Sequence, residues 1–472
     1  MTTIPVRNPR TGRIDAEIRP ATSADIDALA AELRAAQPGW RAAGFDGRIG
    51  VLRAFAATID RHGESIGAAL VNDTGRRALA RAEVDGLKGM IRRWCEVAAA
   101  IEQPAETLSQ TFPKIGLQSR QVPYPLVGAI SPWNFPLLLS FIDALPALLA
   151  GSAVIVKPSE VTPRFAAAVR AAISEVSELD AVLRFIDGDG STGASLVGAV
   201  DAVAFTGSVA TGRKVAAAAA EAFIPAFLEL GGKDPAIVLS GANIERAATA
   251  ILRASVNASG QACQSLERLY VQREIHDDFV ALLADKARRV KLSHPDPGSG
   301  ILGPLIFERQ ADLSRAHLDD ARERGAVVVT GGEVLELDGG WFVEPTILTG
   351  VDHGMSIMRE ETFGPVMPVM AFDDIDEAVA LANDSTFGLS AAVFGPDEAT
   401  AIAVAERIEA GGISVNDAGL TSFIYESEKN AFRCSGLGPS RMGITGLTRF
   451  LRQQALYVNR GDVLPIEAFA ED

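Results

Sequence analysis

Residues 125–160 read PLVGAISPWNFPLLLSFIDALPALLAGSAVIVKPSE. A short apolar run bounded by prolines, 125–132, opens this stretch, and a second short apolar run, 152–156, closes it. Both runs have the length of buried strands, whereas the apolar segment between them, 135–149, is long enough for a helix. A strand, a helix and a second strand predict a βαβ unit, in which the sheet is parallel and helices cover both of its faces.

Within this stretch, residues 135–156 are apolar enough to raise the question of a membrane span. Polar or helix-breaking residues interrupt it, namely Pro136, Asp143, Pro146 and Ser152. A transmembrane helix needs about 20 consecutive, predominantly apolar residues. We therefore expect a helix that ends near Gly151, followed by a buried strand.

The alternation of short apolar runs with helical patterns continues along the chain. Further strands are predicted at 183–186, 202–205, 224–230, 236–239, 269–272, 326–330, 366–372 and 391–394. Helices are predicted at 23–36, 47–70, 74–100, 164–176, 193–197, 244–256, 279–290, 309–324, 375–383 and 399–410. The predicted fold class is α/β, with two Rossmann-like domains that meet near 231–235. Ligands of such sheets bind at the carboxyl ends of the strands.

Two further segments indicate a small β arm. Residues 115–122 alternate apolar and polar side chains, as a half-exposed strand does, and residues 455–459 form a short strand candidate near the end of the sequence. We expect the two to pair in an outlying arm that is available to a neighbouring subunit.

Composition limits the classes of function. The chain has 472 residues, which is too long for one compact core, and its 48% hydrophobic and 22% charged residues are typical of a globular protein. The formal net charge of −16 argues against nucleic acid and anionic membrane surfaces as partners. The three cysteines, Cys95, Cys263 and Cys434, do not form a disulfide framework. The sequence MTTIPVRNPRTGRI at the start lacks an apolar signal region, so we expect a cytoplasmic protein.

One cysteine stands in a turn of small residues, Gly260-Gln261-Ala262-Cys263-Gln264-Ser265. A thiolate is a strong nucleophile, and it needs nearby positive potential or hydrogen-bond donors to form near neutral pH. Small neighbours leave room for a substrate carbonyl. Taken alone, Cys263 is better explained as a small buried hydrophobe.

Two predicted strand ends carry residues suited to binding a nucleotide. The strand 152–156 runs into Lys157-Pro158-Ser159-Glu160, and the strand 202–205 runs into Thr206-Gly207-Ser208. A helix that begins near residue 209 would offer its free N–H groups to a phosphate. The spacing is not the G-x-G-x-x-G fingerprint, and, taken alone, it is better explained by an ordinary strand–turn–helix junction.

Eight motifs together resemble those of the NAD(P)-dependent aldehyde dehydrogenase superfamily. They are NPRTG (8–12), PWNFP (132–136), KPSE (157–160), FTGS (205–208), LELGGKDP (228–235), GQAC (260–263), EETFGP (360–365) and SGLG (435–438). They follow the family order from end to end. The resemblance implies a NAD(P)-binding domain at 1–110 and 125–231, a catalytic domain at 232–435, and an oligomerisation arm at 111–124 and 450–468. It also implies a homodimer or homotetramer.

The resemblance further implies the chemistry. Cys263 would attack the aldehyde to form a thiohemiacetal, hydride would leave for the nicotinamide, and water would hydrolyse the resulting thioester. Asn134 and the Cys263 N–H would stabilise the negative oxygen. Glu229 would be the general base, and a glutamate here favours hydrolysis to a free acid over transfer to coenzyme A. Without the resemblance, Asn134 is a turn residue and Glu229 a surface carboxylate.

The resemblance implies NAD as cofactor, with NADP possible. Lys157 and Glu160 would lie at the adenosine ribose, where a carboxylate binds the 2′-hydroxyl and repels a 2′-phosphate. Ser208 would meet the pyrophosphate, and Glu361 with Phe363 the nicotinamide ribose. The other cofactor candidates are Trp133, Ser159, Gly207 and Gly231, and no metal is expected. As an alternative, Glu360 and Glu361 form a solvated acidic pair.

One loop departs from the family pattern. Residues 428–434, Glu-Lys-Asn-Ala-Phe-Arg-Cys, replace the usual glycine-rich Pro-Phe-Gly-Gly-x-Lys near the substrate entrance. Lys429 and Arg433 favour a semialdehyde, an aldehyde that carries a carboxylate; the alternative is a surface loop whose cations pair with Glu426 and Glu428. The substrate candidates are Phe135, Leu138, Gln264, Lys429 and Arg433. Which aldehyde is oxidised stays open.

Two other classes of function compete with this interpretation. A thiol hydrolase or acyltransferase without a cofactor needs a histidine beside the nucleophile. The five histidines, His62, His276, His294, His317 and His353, lie in no recognisable pairing motif. A non-catalytic nucleotide-binding protein would have lost one of the three catalytic candidates, and all three are present.

Overall fold

The computed structural model describes residues 3–101 and 105–471. A first, mostly parallel sheet contains, in spatial order, the strands Gly436–Leu437, Ala226–Glu229, Ala202–Thr206, Leu126–Ile130, Ala153–Lys157 and Leu183–Phe185. Each residue of the three central strands is buried, because helices cover both faces of the sheet. The βαβ unit predicted over 125–160 is confirmed.

The helix of that unit spans Pro136–Ala150 and ends at Gly151, whose φ of +104° is a conformation that glycine adopts without strain. In the described part of the chain, no helix is both long and apolar enough to cross a membrane. The other helices around the first sheet are Ser23–Ala42, Gly44–Thr74, Arg77–Ala99, Phe165–Ser174, Ser177–Asp180, Gly190–Ala199 and Val209–Glu221.

The second sheet is also mostly parallel. In spatial order its strands are Val327–Thr330, Thr346–Thr349, Val366–Phe372, Leu266–Gln272, Asp234–Val238, Ser390–Phe394 and Gly412–Val415. The helices that accompany it are Ile244–Val256, Arg273–Arg288, Arg309–Glu323, Ser356–Arg359, Ile375–Asn383 and Glu398–Ala405. With the first sheet, it confirms the predicted α/β class with two parallel-sheet units.

The predicted β arm is present. Leu451–Asn459 pairs antiparallel with Ile115–Pro123 over nine residue pairs, from Leu451 opposite Pro123 to Asn459 opposite Ile115. Thr107–Leu108 adds a short third strand. The arm presents apolar side chains to solvent: Leu456 is 39% and Tyr457 74% exposed.

Several short elements were not predicted. They are the hairpin of Ile4–Arg7 with Ile14–Ile18, the hairpin of Val334–Leu337 with Gly340–Val343, the strands Thr346–Thr349, Gly412–Val415 and Gly436–Leu437, and the short helices Ser356–Arg359 and Thr445–Thr448. Short 3-10 turns cover Asn257–Gly260, Leu420–Ser422, Arg433–Ser435 and Ile466–Phe469. The predicted domain limits stay a prediction. Near 230–233 the chain leaves the first sheet, whose strand Ala226–Glu229 ends there, and enters the second sheet at Asp234–Val238.

Candidate active site

A groove of about 750 Å³ runs along the carboxyl ends of the first sheet's strands and reaches the cysteine turn. Of the predicted site residues, its walls contain Trp133, Asn134, Lys157, Ser159, Glu160, Gly207, Ser208, Gly231, Cys263, Glu361 and Phe363. The lysine predicted to lie at the adenosine ribose and the thiol predicted to be the nucleophile therefore share one cavity. A groove of this extent suits an elongated ligand such as a dinucleotide.

The turn that carries the thiol has a strained backbone. Ala258 and Ser259 have φ of +53° and +60°, and Gly260 follows at +73°. Left-handed conformations cost a non-glycine residue about 1–2 kcal/mol. A Cβ on Gly260 would lie 2.1 Å from the carbonyl carbon of Gly364, so only glycine fits. The GQAC and EETFGP motifs, distant in sequence, are therefore in direct contact.

Long-range hydrogen bonds hold this turn in place. Gln261 is fully buried, and its Nε2 donates to the carbonyl oxygens of Ala258 and Pro304, each at 3.1 Å. Its Oε1 accepts from the Ile306 N–H at 2.8 Å, and Ser259 Oγ donates to the Gly303 carbonyl at 2.9 Å. The segment 303–306 thus supports the strained backbone.

The Cys263 side chain is only partly exposed, and burial raises the pKa of its thiol to about 12. Of the neighbouring charges, the Lys429 ammonium acts most strongly in the opposite direction, whereas Asp234 and Glu361 add to the increase. The thiol is therefore neutral near pH 7, and a reaction at its sulfur requires that the proton be removed or the thiolate be stabilised.

Asn134 lies beside the cysteine turn, as predicted. Its side chain is buried, and Nδ2 donates to the Gln261 carbonyl at 2.9 Å, two residues before Cys263. The Asn134 carbonyl in turn accepts a hydrogen bond from the buried Arg76. The amide is thus held near the thiol by contacts on both its side chain and its backbone.

Glu229 is the last residue of the strand Ala226–Glu229, and its side chain is 19% exposed. Arg441 Nε lies 4.0 Å from Glu229 Oε1. Arg441 Nη2 donates to Thr206 Oγ1 at 2.6 Å and to Asp143 Oδ2 at 2.7 Å, and Asp143 also pairs with Arg449. The buried arginines were missed by sequence reasoning. The only signal was Asp143, a carboxylate within an apolar helix that needs a cation.

The far end of the groove holds Lys157 and Glu160. The Lys157 side chain is buried, which lowers its pKa, and Nζ lies 3.3 Å from Glu160 Oε2 and 3.2 Å from the Pro158 carbonyl. Ser159 Oγ accepts from the Val161 N–H at 3.2 Å and so shapes the turn. The pair offers both a cation and a carboxylate to a ribose.

Ser208 is the N-cap of the helix Val209–Glu221, where its Oγ accepts from the Thr211 N–H at 3.3 Å. Gly207 packs against Phe205; a Cβ there would meet the ring at 2.5 Å. Because the first N–H groups of a helix have no partners within it, this end of the groove suits a phosphate.

Glu361, Phe363 and Trp133 form the wall between the helix terminus and the thiol. Glu361 Oε1 accepts from the Gly232 N–H at 3.0 Å, and burial raises the pKa of Glu361 to about 8. A Cβ on Gly231 would lie 2.5 Å from Glu361 Oε2. Phe363 has a φ of +56°, and its ring meets that of Trp133 edge-on at 5.3 Å.

None of the five substrate candidates is among the described residues that line the groove. Phe135 lies under the Arg76 guanidinium, 5.5 Å from its ring centre. Leu138 packs against Gly86, 3.2 Å from where a Cβ would be. Gln264 Oε1 accepts from the Thr421 and Ser422 hydroxyls, so this side chain holds the neighbouring loop.

The two cations of the loop 428–434 differ in exposure and in their contacts. Arg433 is exposed, and its guanidinium is bound to Glu409 and to the carbonyls of Asn383 and Ser385. Lys429 points inward. Within the described chain its Nζ is buried without a hydrogen-bond partner, and Glu229, Cys263 and Asp234 are the anionic or ionisable groups that act on it most strongly. Neither cation forms the ion pair with Glu426 or Glu428 that the alternative interpretation required.

The histidines distinguish between the classes of thiol enzyme. All five lie in the described part of the chain, and their side chains bind Glu175, Asp277, Asp338, Thr362 and Asp384, in sequence order. Each is thus engaged away from Cys263, which argues against a thiol hydrolase. Fold and site together define an enzyme that combines a nucleotide groove with a single thiol.

Comparison with known proteins gives the family. The model of the aldehyde dehydrogenase family matches residues 1–456. A putative succinate-semialdehyde dehydrogenase, NADP(+), of Mycolicibacterium smegmatis is 33% identical over 97% of this chain and 89% of its own length. The structure of the putative aldehyde dehydrogenase PutA from Anabaena variabilis has a TM-score of 0.97 at 50% identity, with both chains fully covered.

A third similar protein, the betaine aldehyde dehydrogenase of Staphylococcus aureus in complex with NAD+, has a TM-score of 0.93 at 29% identity, over 100% of this chain and 94% of its own. The protein described here belongs to the aldehyde dehydrogenase family. The family resemblance inferred from the eight motifs is therefore confirmed.

Proposed function

We propose that this protein oxidises an aldehyde to a free carboxylic acid with NAD(P)+, through a covalent intermediate on Cys263. The observation that carries the proposal is that Cys263 shares one groove with Lys157, Ser208 and Glu361. These residues fit a dinucleotide: the ion pair suits the adenosine ribose, the helix terminus the pyrophosphate, and the half-buried carboxyl group of Glu361 the second ribose. When bound, the nicotinamide would accept the hydride.

The chain's own residues account for the covalent steps. Cys263 attacks the aldehyde carbon, and the carbonyl oxygen becomes negative. The Asn134 amide, which lies beside the cysteine turn, and the Cys263 N–H would donate to that oxygen, and each such donor lowers the barrier by about 3–4 kcal/mol. Burial keeps the thiol protonated in the free enzyme, so its proton must pass to solvent before the attack. The positive charge of Lys429 then stabilises the thiolate.

Glu229 acts in the second half of the reaction. Its carboxylate lies at a strand end, partly exposed, where it can take a proton from a water molecule that attacks the thioester. Arg441 Nε lies 4.0 Å from this carboxylate and forms no hydrogen bond with it. This arrangement supports hydrolysis rather than transfer to coenzyme A.

Cofactor preference follows from the Lys157–Glu160 pair. Glu160 favours NAD because a carboxylate repels a 2′-phosphate. Lys157 lies 3.3 Å from it and offsets part of that charge, so NADP stays possible. The relatives include one named for NADP(+) and one bound to NAD+. We therefore propose a preference for NAD that is modest rather than absolute.

Assembly and location complete the proposal. The arm built from Ile115–Pro123 and Leu451–Asn459 exposes Tyr457, and the segment after it exposes Val463 at 82% and Phe469 at 71%. Apolar side chains grouped in this way are typical of a protein–protein interface. We propose a homodimer or homotetramer that forms through this arm in the cytoplasm.

A narrower substrate class is a second candidate. The buried, unpaired Nζ of Lys429 favours an aldehyde with a negatively charged group, such as a semialdehyde, since an anion would satisfy the ammonium. A relative named for succinate semialdehyde agrees with this choice.

The proposal is tested by a spectrophotometric screen of aldehydes with each cofactor, comparing wild type with Cys263→Ala. We expect NAD(P)H to form with the wild type and the rate to fall by roughly four orders of magnitude in the variant, because no other group replaces the thiol. NAD+ affinity should be unchanged, since the thiol does not hold the cofactor. Residual activity near that of wild type would refute the nucleophile.

A further inference from the structure

A buried ion pair lies behind the groove. Lys233 and Glu267 are 1% and 2% exposed, and Lys233 Nζ donates to Glu267 Oε2 at 2.6 Å. Neither is among the described residues that line the groove, and the reaction outlined above uses neither. Two buried charges are costly to desolvate, and their attraction does not by itself explain their presence. The other bonds of Glu267 indicate what the pair does.

Glu267 holds the backbone of the segment 360–364. Its Oε2 accepts from the Thr362 N–H at 2.7 Å and its Oε1 accepts from the Phe363 N–H at 2.8 Å. Phe363 is in the left-handed region, with φ of +56°. A phenylalanine in that conformation persists only where its surroundings impose it, and here the carboxylate of Glu267 binds the strained residue directly.

The same segment is fixed at three more points. Lys233 Nζ donates to Thr362 Oγ1 at 3.1 Å, and the Gly232 N–H donates to Glu361 Oε1 at 3.0 Å. Gly364 packs directly against Gly260 of the cysteine turn. Residues 232–233, 260–267 and 361–364 therefore form one block, which carries the cysteine turn on one side and two groove residues on the other.

We propose that Glu267, neutralised by Lys233, is a positioning residue that keeps Phe363 left-handed and so places Glu361 and Phe363 in the groove. The inference rests on the proposed function, because it assigns to these side chains the alignment of the cofactor with Cys263. Glu267 follows Cys263 by four residues, so one short segment supplies both the nucleophile and the carboxylate that fixes the cofactor wall.

Glu267→Gln tests this positioning role. The glutamine amide keeps the shape of the side chain, but it has only one oxygen and so cannot accept hydrogen bonds from both the Thr362 and the Phe363 N–H. We expect the Kd for NAD+, measured by calorimetry, to rise roughly tenfold or more, and the cofactor KM to change more than kcat. Hydrogen exchange at Thr362 and Phe363 should become faster. These readouts report on the position of the segment and not merely on turnover.

Asp201→Asn is the matched control. Asp201 likewise accepts from a backbone N–H, that of Leu126 at 2.8 Å, and pairs with Arg34 at 2.5 Å, but it lies at the amino ends of the strands, away from the groove. It should lower the melting temperature and leave the Kd for NAD+ unchanged. The positioning role of Glu267 is refuted if Glu267→Gln binds NAD+ as wild type does. It is also refuted if, in both variants, the Kd for NAD+ rises in proportion to the fall in melting temperature.

A milder variant serves where Glu267→Gln does not fold. Thr362→Val removes the hydroxyl that binds both Lys233 and His317 without changing any charge. The Kd for NAD+ should then rise about two- to fivefold, a modest effect because both backbone hydrogen bonds to Glu267 remain. An unchanged Kd in that variant would overturn the inference. Failure of the proposed function is distinguishable, since the wild type itself would then not bind NAD+.

Discussion

The two sides of the groove are built in different ways. On the side of the first sheet, Lys157 ends a strand and Ser208 caps a regular helix. Glu229, which is not among the described residues that line the groove, ends another strand of the same sheet. On the other side, Cys263 follows a run of left-handed residues that is held by contacts with distant segments. Regular elements fix a side chain through local geometry, whereas the cysteine turn depends on several partners at once. Substitutions should therefore have local effects on one side and cooperative effects on the other.

The largest effect on turnover is expected from Glu229, the catalytic candidate that ends a strand of the first sheet. In Glu229→Gln the amide cannot accept a proton from water, so turnover should fall about 10²- to 10⁴-fold while acylation persists. Rapid mixing with NAD+ and aldehyde should show a burst of NADH followed by slow turnover. If the burst disappears together with turnover, Glu229 also activates the thiol, and the two sides of the groove are chemically coupled.

A pair of glycine substitutions tests the comparison directly. In Gly260→Ala the new Cβ meets the backbone of Gly364 at 2.1 Å and the residue must keep a positive φ. In Gly212→Ala, within the helix that Ser208 caps, the Cβ meets only the flexible side chain of Leu230. We expect Gly260→Ala to lose about 2–4 kcal/mol of unfolding free energy, the sum of strain and overpacking, and about a hundredfold in kcat.

Gly212→Ala should stay within about 1 kcal/mol of wild type, because a leucine side chain can move and alanine favours a helix. Denaturant unfolding and steady-state kinetics of both variants give the comparison. Equal losses in the two would contradict the distinction between a cooperative turn and a regular junction.

The same distinction explains what the sequence could predict. The strand Ala153–Lys157, its helix Pro136–Ala150 and the pairing of the two arm strands follow from local apolar patterns, and they are found where those patterns predict them. Cys263 and Glu361 were identified by family motifs, which carry information that periodicity does not.

Contacts between distant segments escaped prediction. The strand Gly436–Leu437 has two residues and no period, yet it pairs with the strand that ends at Glu229. Lys233 and Glu267 are ordinary charged residues in sequence, and their burial depends on which segments fold beside them. Likewise, nothing local distinguishes Lys429, which points inward, from Arg433, which binds Glu409 at the surface.

These last two cations give the smallest and final prediction. Lys429 belongs to an irregular loop, and its buried ammonium faces Cys263 and Glu229. If it binds the anionic end of the substrate, Lys429→Met should lower kcat/KM for a semialdehyde roughly tenfold or more, mainly through KM, because a charge-assisted contact contributes about 1.5–3 kcal/mol. An uncharged aldehyde of equal length should lose much less.

Arg433→Met is the matched control, since it removes the other cation of the same loop. Its guanidinium is exposed and already bound to Glu409, and an exposed ion pair contributes about 1 kcal/mol or less, so both aldehydes should react as with wild type. A different result separates the two roles open to Lys429. If Lys429→Met slows charged and neutral aldehydes equally, and also slows alkylation of Cys263 by iodoacetamide, the ammonium stabilises the thiolate rather than the substrate. The irregular side of the groove would then supply the activation of the nucleophile as well as its position.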